Sequence, residues 1–232
     1  MRPPPDPLAS VLREPAGSTS APGRPLYQRA GQRIFEVLAR GLCRVWCPVQ
    51  VAGRHNLPRT PYLICANHSS HLDSLAVLIA TGQPFARFAV LAAHDYFFTT
   101  RLRRIGFASL LNLIPLDRAA SPGSAMSAVA ACRDFLNQDA ATGLILFPEG
   151  GRSVTDAVGS FRRGSAVFPM RLGLPVVPVS IGGTRRLMPK GRLLPSPGRI
   201  CVRIGEPLWQ VGDDSVMVEA RRRIVAMQES AS

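Results

Sequence analysis

The sequence predicts a single layered α/β domain with a mixed, mostly parallel sheet flanked by helices, preceded by an N-terminal amphipathic helix. From residue 48 onward, short apolar runs alternate with segments of helical periodicity, which is typical of α/β layers. The 232 residues are enough for one such domain and too few for two full ones. Hydrophobic residues at 46% and charged residues at 19% are ordinary values for a globular protein.

The N-terminal part of the chain divides into two segments. Residues 1–25 are rich in proline, serine and glycine and predict a disordered tail. Residues 26–47 predict a basic amphipathic helix, apolar on one side and carrying Arg29, Arg33, Arg40 and Arg44 on the other. Such a helix can lie in a membrane interface, with its arginines among the phosphates. The alternative is a helix that packs on the domain core and keeps a solvated basic face.

Residues 48–232 form the main domain. Short apolar runs bounded by turn residues predict the strands Val49–Ala52, Tyr62–Ala66, Phe88–Ala92, Leu113–Leu116, Leu144–Phe147, Val176–Ile181 and Arg199–Ile204. Helical periodicity predicts the helices Ser70–Thr81, Phe97–Arg104, Gly123–Gln138, Gly164–Leu172 and Asp213–Met227. Asp213 or Asp214 is a suitable N-cap for the last helix.

The charge balance points to an anionic partner. Twenty-eight basic residues against fifteen acidic ones give a formal net charge of +13, which suits nucleic acid, an anionic membrane or an acidic protein. Nucleic-acid binding is disfavoured, because the aromatic residues are few and are not interleaved with the basic ones.

The five scattered cysteines form no disulfide framework and indicate a reducing compartment. No secretory signal and no apolar run long enough to span a membrane are visible.

A histidine and an aspartate lie five residues apart in the segment Asn67-His68-Ser69-Ser70-His71-Leu72-Asp73. On one continuous helix, His68 and Asp73 would lie about 140° apart and could not pair. If His68 lies in the turn and Asp73 in the first turn of the helix, the imidazole can meet the carboxylate. A histidine oriented by a carboxylate can take the proton of a hydroxyl near neutral pH.

This segment has two other interpretations. Ser70 and Asp73 fit a capping box that would only start the helix, with His68 as an ordinary loop residue. A metal site built from His68, His71 and Asp73 is the other, although the remaining two histidines show no ligand spacing.

A serine hydrolase is not predicted. Neither Gly159-Ser160-Phe161 nor Gly164-Ser165-Ala166 completes the Gly-x-Ser-x-Gly elbow that such an enzyme needs. The sequence therefore favours direct attack by an acceptor hydroxyl, without an acyl-enzyme.

A second polar segment, Phe147-Pro148-Glu149-Gly150-Gly151-Arg152-Ser153, follows a predicted strand directly. Ligands bind at the carboxyl ends of strands in α/β sheets. Arg152 and backbone N–H groups can hold a phosphate there, and Glu149 can accept hydrogen bonds from a polyol hydroxyl. The alternative is an ordinary glycine-rich turn with surface charge.

Four blocks in this order resemble the glycerolipid acyltransferase family, typified by 1-acyl-sn-glycerol-3-phosphate acyltransferase. They are Asn-His-x-x-x-x-Asp, a strand ending in Arg118, the Phe-Pro-Glu-Gly-x-Arg-Ser loop, and the proline-bearing apolar strand Leu174–Ser180. The blocks extend over roughly residues 49–205. Gly151 departs from the pattern, since the family usually has threonine there.

The resemblance implies an O-acyltransferase in which His68 is the base and Asp73 orients it. It also implies a substrate-binding site formed by Arg118, Glu149, Gly150, Arg152 and Ser153, with the two arginines on the acceptor's phosphate. The acyl donor would be an acyl-CoA or an acyl carrier protein thioester, with no metal or redox cofactor. A lysophospholipid, most often 1-acylglycerol 3-phosphate, would be the acceptor; glycerol 3-phosphate, another lysophospholipid and a lyso-aminolipid stay open.

The same resemblance gives the main domain its function and the chain a location. Residues 48–232 become the acyltransferase domain, and the chain a peripheral protein on the cytoplasmic face of a membrane with anionic lipids, in a bacterium the inner membrane. A catalytically silent lipid-binding relative is the alternative, and the intact His68–Asp73 pair disfavours it.

Overall fold

The computed structural model describes residues 26–93, 111–116, 122–138, 140–155, 157–192, 194–209 and 215–230. Four predictions lie outside these ranges: the tail 1–25, the helix Phe97–Arg104, the substrate-binding residue Arg118, and the N-cap at Asp213 or Asp214.

The described elements alternate as the sequence predicts. The helices are α1 Leu26–Val45, α2 Leu72–Thr81, α3 Pro122–Leu136, α4 Val167–Leu172, α5 Thr184–Leu187 and α6 Ser215–Glu229. The strands are β1 Val49–Ala52, β2 Tyr62–Ala66, β3 Phe88–Ala93, β4 Asn112–Leu116, β5 Gly143–Leu146, β6 Val176–Gly182 and β7 Ile200–Ile204. The bounds of β1 and β2 are those predicted, while α5 has no counterpart among the predicted elements.

The seven strands form one sheet in the order β1-β7-β6-β2-β5-β3-β4. The β6–β7 pair is antiparallel and every other pair is parallel. The predicted mixed, mostly parallel sheet is therefore confirmed. The central strand β2 is buried throughout, as expected for a strand with both faces covered.

Helices cover both faces of this sheet, as the alternation of side chains along β2 shows. Tyr62 and Ile64 point into one hydrophobic cluster, which includes residues of α1 and α2. Leu63 and Cys65 point into the other cluster, which includes residues of α3, α4 and α6. Because successive side chains of a strand point to opposite faces, one short strand anchors both layers.

Helix α1 packs on the domain with a polar and small-residue side. Gln32, Ala39 and Cys43 are buried there, and the Gln32 amide Nε2 donates to Asn112 Oδ1 at 2.9 Å. Phe35 meets Phe85 edge-on with ring centroids 6.4 Å apart. This inner side differs from the apolar side read from the sequence.

The apolar side of α1 faces outward. Five of its side chains are between 56% and 82% exposed; they form the outer apolar stripe, which consists of Ile34, Val37, Leu38, Leu42 and Val45. Helix α1 therefore packs on the domain core, as the alternative predicts, but the side that it buries carries Gln32, Ala39 and Cys43 rather than the apolar residues. Within the described residues, no helix combines the length and apolarity needed to cross a bilayer.

Candidate active site

Two loops meet at the carboxyl edge of the sheet. Strands β2 and β5 are parallel neighbours, with Cys65 opposite Leu146. The chain that leaves β2 therefore enters its polar turn beside the chain that leaves β5. The main-chain N–H of Ser153 donates to the carbonyl oxygen of His68 at 2.8 Å and joins the two loops directly.

His68 and Asp73 pair, as the family resemblance implies and as the spacing allows. His68 lies in the turn, Asp73 lies in the first turn of α2, and His68 Nδ1 is 2.9 Å from Asp73 Oδ2. A carboxylate only accepts hydrogen bonds, so Nδ1 carries the proton and Nε2 is the basic nitrogen of the neutral ring. Asp73 is fully buried, whereas the His68 side chain is 20% exposed.

The Asp73 carboxylate also fixes the backbone of the turn. Oδ2 accepts the main-chain N–H of Ser69 at 2.6 Å and that of Ser70 at 2.7 Å. These bonds satisfy donors that precede the helix, as the carboxylate of a capping box does. One oxygen atom therefore orients the imidazole and holds the peptide groups next to it.

Ser70, the other residue of the predicted capping box, does not cap the helix. Helix α2 begins at Leu72 rather than at Ser70, and no side chain caps it at His71. The Ser70 hydroxyl accepts the Leu72 N–H at 3.3 Å and donates to the carbonyl oxygen of Met188 at 2.8 Å. The reason is that this buried hydroxyl anchors the turn to the β6–β7 connection, beside α5.

Glu149 bridges the two loops from the other side. Its Oε1 accepts the main-chain N–H of His68 at 2.9 Å, and its Oε2 accepts that of Gly159 at 3.1 Å. Burial raises the pKa of Glu149, and these two backbone hydrogen bonds oppose the shift. The predicted role of Glu149 toward a substrate hydroxyl stays a prediction, since both oxygens already have backbone donors.

The ring of Phe147 supports the imidazole. The ring centroids of His68 and Phe147 lie 4.3 Å apart with an interplanar angle of 24°. A stacked ring restricts rotation of the imidazole about its side-chain torsions. Phe147 was predicted as the end of a strand and the first residue of the polar loop, without a role beside the imidazole, and β5 ends one residue before it.

The glycine-rich loop is compact. Gly150 has φ of +70°, and a Cβ there would collide with the side chain of Arg162, which lies against the loop. Glycine adopts this left-handed backbone without strain. The Ser153 hydroxyl lies 3.2 Å from the Thr155 hydroxyl and accepts the Thr155 N–H at 3.2 Å. Ser153 thus shapes the loop, and its contact with substrate stays a prediction.

Arg152 lies near enough to His71 for its charge to act on that ring. Burial lowers the pKa of His71 to about 4, and the positive charge of Arg152 adds to the shift, as does His68, while Asp73 opposes it. His71 is therefore neutral near pH 7. Arg118, the other predicted phosphate-binding residue, lies outside the described residues.

Sequence reasoning assigned no role to Asn67. Its Nδ2 donates to the carbonyl oxygen of Ile181 at 2.9 Å, and its Oδ1 accepts the Ile181 N–H at 2.8 Å. The side chain thereby continues the β2–β6 pairing by one step beyond the end of β2. An asparagine directly after a buried strand was the available signal.

The metal-site interpretation finds no support in the part of the chain that the structure describes. There, no three histidine, cysteine, aspartate or glutamate side chains are grouped so that they could hold an ion.

Comparison with known proteins gives consistent matches. The Acyltransferase family model matches residues 48–182. The chloroplastic 1-acyl-sn-glycerol-3-phosphate acyltransferase BAT2 of Brassica napus is 30% identical over 211 residues, which cover 86% of this chain and 57% of that protein. The 1-acyl-sn-glycerol-3-phosphate acyltransferase of Pseudomonas aeruginosa is 30% identical over 165 residues, which cover 71% of this chain and 60% of that protein. The chain spans about half the length of the curated relatives it matches.

A solved structure has the same fold. The crystal structure of the 1-acyl-sn-glycerophosphate (LPA) acyltransferase from Thermotoga maritima matches with a TM-score of 0.63 and 24% sequence identity. The match covers 87% of this chain and 79% of that one.

Proposed function

This chain belongs to the acyltransferase family, and we propose that it transfers a fatty acyl group from an acyl-CoA or acyl carrier protein thioester to the hydroxyl of 1-acylglycerol 3-phosphate, giving phosphatidic acid for phospholipid synthesis. The observation that carries the proposal is the 2.9 Å contact between His68 Nδ1 and the buried Asp73 carboxylate. The relatives, which are named as 1-acyl-sn-glycerol-3-phosphate acyltransferases, support the choice of acceptor.

The reaction uses His68 Nε2 as the base. The acceptor hydroxyl gives its proton to Nε2 while its oxygen attacks the thioester carbonyl carbon, and Asp73 stabilises the imidazolium that forms. The tetrahedral intermediate then collapses, the C–S bond breaks, and the leaving thiolate takes the proton from Nε2. Products are the ester and the free thiol, and His68 returns to its neutral form.

We assign the acceptor's phosphate to Arg152, together with Arg118. A guanidinium binds phosphate through a planar fork of donors. His71 is neutral near pH 7, so the positive charge at this point of the subsite comes from Arg152. Gly150, Glu149 and Ser153 complete the wall of this subsite in the proposal, through the loop geometry that they maintain.

We further propose that residues 26–47 hold the acyltransferase domain, 48–232, on an anionic membrane. The outer apolar stripe of α1 would enter the acyl region, while Arg29, Arg33 and Arg44 are also exposed and can meet phosphates. The net charge of +13 supports an anionic surface and an acidic donor protein. A peripheral position on the cytoplasmic face, in a bacterium at the inner membrane, fits these features; nucleic acid is not a proposed partner.

The test is an acyl-transfer assay on the purified chain. Labelled acyl-CoA would be supplied with vesicles that contain 1-acylglycerol 3-phosphate, and glycerol 3-phosphate, lysophosphatidylcholine and a lyso-ornithine lipid would be offered in parallel. We expect transfer to 1-acylglycerol 3-phosphate, its loss in His68→Ala, and full activity in His55→Ala, which changes an exposed histidine.

Each other outcome has a defined meaning. Transfer to a different acceptor would correct the substrate and keep the mechanism. Transfer from acyl carrier protein alone would correct the donor. Absence of transfer from both donors, or full activity in His68→Ala, would refute the catalytic proposal.

A further inference from the structure

Arg221 of α6 binds the segment Val158–Gly159, which follows the glycine-rich loop of the candidate active site. Its Nε donates to the carbonyl oxygen of Gly159 at 2.8 Å, and its Nη2 donates to that of Val158 at 3.0 Å. Arg221 lies outside residues 48–182, the segment that the family model matches. Its neighbour Arg222 is exposed and pairs instead with Glu219.

One peptide group links Arg221 to Glu149. The carbonyl of Val158 and the N–H of Gly159 belong to the same peptide unit; the carbonyl accepts from Arg221, and the N–H donates to Glu149 Oε2 at 3.1 Å. Hydrogen bonds in series polarise one another, so a guanidinium on the carbonyl strengthens the N–H as a donor. The positive charge of Arg221 thereby supports the negative charge of Glu149 through the peptide.

Glu149 connects the Val158–Gly159 peptide to His68. Its other oxygen, Oε1, accepts the His68 N–H at 2.9 Å. The approach at Gly159 is close, since a Cβ on that residue would lie 2.7 Å from Glu149 Oε2. Glu149 is partly buried, and its carboxylate depends on these two backbone donors for stabilisation.

We propose that Arg221 is a positioning residue for His68, acting through the Val158–Gly159 peptide and the Glu149 carboxylate. This chain of hydrogen bonds positions the main chain of His68, whereas Asp73 positions its ring. The C-terminal helix therefore contributes to the geometry of the base without touching substrate. The kinetic part of this inference rests on the proposed function; the hydrogen-bond part does not.

The first readout is independent of activity. The backbone amide proton of His68 would be observed by NMR in the full chain, in Arg221→Met and in the matched control Arg222→Met. We expect its resonance to move upfield in Arg221→Met, because the hydrogen bond to Glu149 lengthens, and to stay in place in Arg222→Met. A folded Arg221→Met with the wild-type His68 resonance would overturn the proposal.

The second readout separates positioning from stability. We expect Arg221→Met to lower kcat about tenfold with an unchanged KM for the acceptor, because a small displacement of a catalytic group slows the chemical step. Arg221→Lys, which keeps the charge and a single donor group, should recover part of kcat. A lowered Tm with wild-type kcat below that temperature would mean that Arg221 only stabilises the fold.

A further variant covers the case in which Arg221→Met does not fold. Gly159→Ala displaces Glu149 Oε2 directly and leaves α6 unchanged, so it should produce the same amide shift and loss of kcat. A wild-type His68 amide resonance and a wild-type kcat in Gly159→Ala would contradict the proposed link from Arg221 through Glu149 to His68. If the wild-type chain transfers no acyl group, the proposed function fails, and the amide resonance alone then decides whether this link exists.

Discussion

The side-chain amide of Asn67 pairs with the main chain of Ile181 as a peptide group would, through hydrogen bonds of 2.9 and 2.8 Å. This pairing extends the sheet by one step, up to the residue that precedes His68. The position of the histidine is thereby fixed to a central strand rather than to a free loop.

Asn67→Asp should destabilise the fold. The new carboxylate cannot donate to the Ile181 carbonyl and places a charge in a buried site, so we expect a loss of about 2–4 kcal/mol in the free energy of unfolding. Urea unfolding measures this. Asn137→Asp, at an exposed position, is the matched control and should change the free energy by less than about 0.5 kcal/mol. Equal effects of both variants would contradict the pairing.

Asp73→Asn should impair the reaction more than substrate binding. The amide oxygen can still accept the N–H groups of Ser69 and Ser70, but a neutral group stabilises an imidazolium poorly, so kcat should fall about 10²–10⁴-fold. Steady-state kinetics with both substrates would measure kcat and KM separately. Asp134→Asn, on the exposed side of α3, should keep wild-type kcat. A kcat above half of the wild-type value in Asp73→Asn would refute the orienting role.

Stability should fall in mild acid because of His71. Its pKa is lowered in the folded chain to about 4, whereas an unfolded histidine has a pKa of about 6.5. The unfolded state therefore binds the proton first, and the contribution present above about pH 6.5 is lost as the pH falls toward 4. Urea midpoints at about pH 7 and about pH 5 should differ less in His71→Gln than in wild type.

The control for this prediction is another histidine. His55 is exposed, so His55→Gln should retain the full pH dependence. The groups that bear on His71 are Arg152, His68 and Asp73, and none of them changes in either variant. Identical pH dependence in His71→Gln and wild type would show that His71 does not cause the acid sensitivity.

The outer apolar stripe of α1 should control membrane binding. Leu38→Ser with Leu42→Ser removes two exposed apolar side chains, each worth about 1.5–3 kcal/mol when fully buried, so partition into anionic vesicles should fall at least about tenfold. Sedimentation with vesicles would measure it. Val218→Ser changes an exposed apolar residue on α6 and should leave binding unchanged; a loss equal to that of the double variant would implicate a different surface.

Local chain geometry allowed the pairing of His68 with Asp73 beside a capping box and a metal site, and the family resemblance favoured the pairing among these. Four residues lie between the two, and a strand-to-helix turn is the short path that brings their side chains together. The carboxylate at the helix start also agreed with helix electrostatics. Local periodicity likewise gave β1 and β2 their exact bounds.

Contacts between distant residues were not predictable in this way. The Ser70 hydroxyl meets Met188 across 118 positions and Glu149 meets His68 across 81, and no local pattern encodes either contact. The sequence also did not show which side of α1 contacts the domain. That side includes the polar residue Gln32, which is buried because its amide is satisfied by a hydrogen bond to Asn112. Periodicity shows which side of a helix is apolar, but the tertiary fold decides which side is covered.

The sheet order also has a consequence for synthesis of the chain. Strand β1 lies at one edge and pairs with β7, so Val49–Ala52 cannot be bonded into the sheet until Ile200–Ile204 has left the ribosome. The outer apolar stripe of α1 emerges well before that point. A nascent chain therefore exposes the outer apolar stripe of α1 before its edge strand is paired, and under the proposed membrane role the helix can reach the bilayer before the sheet is complete.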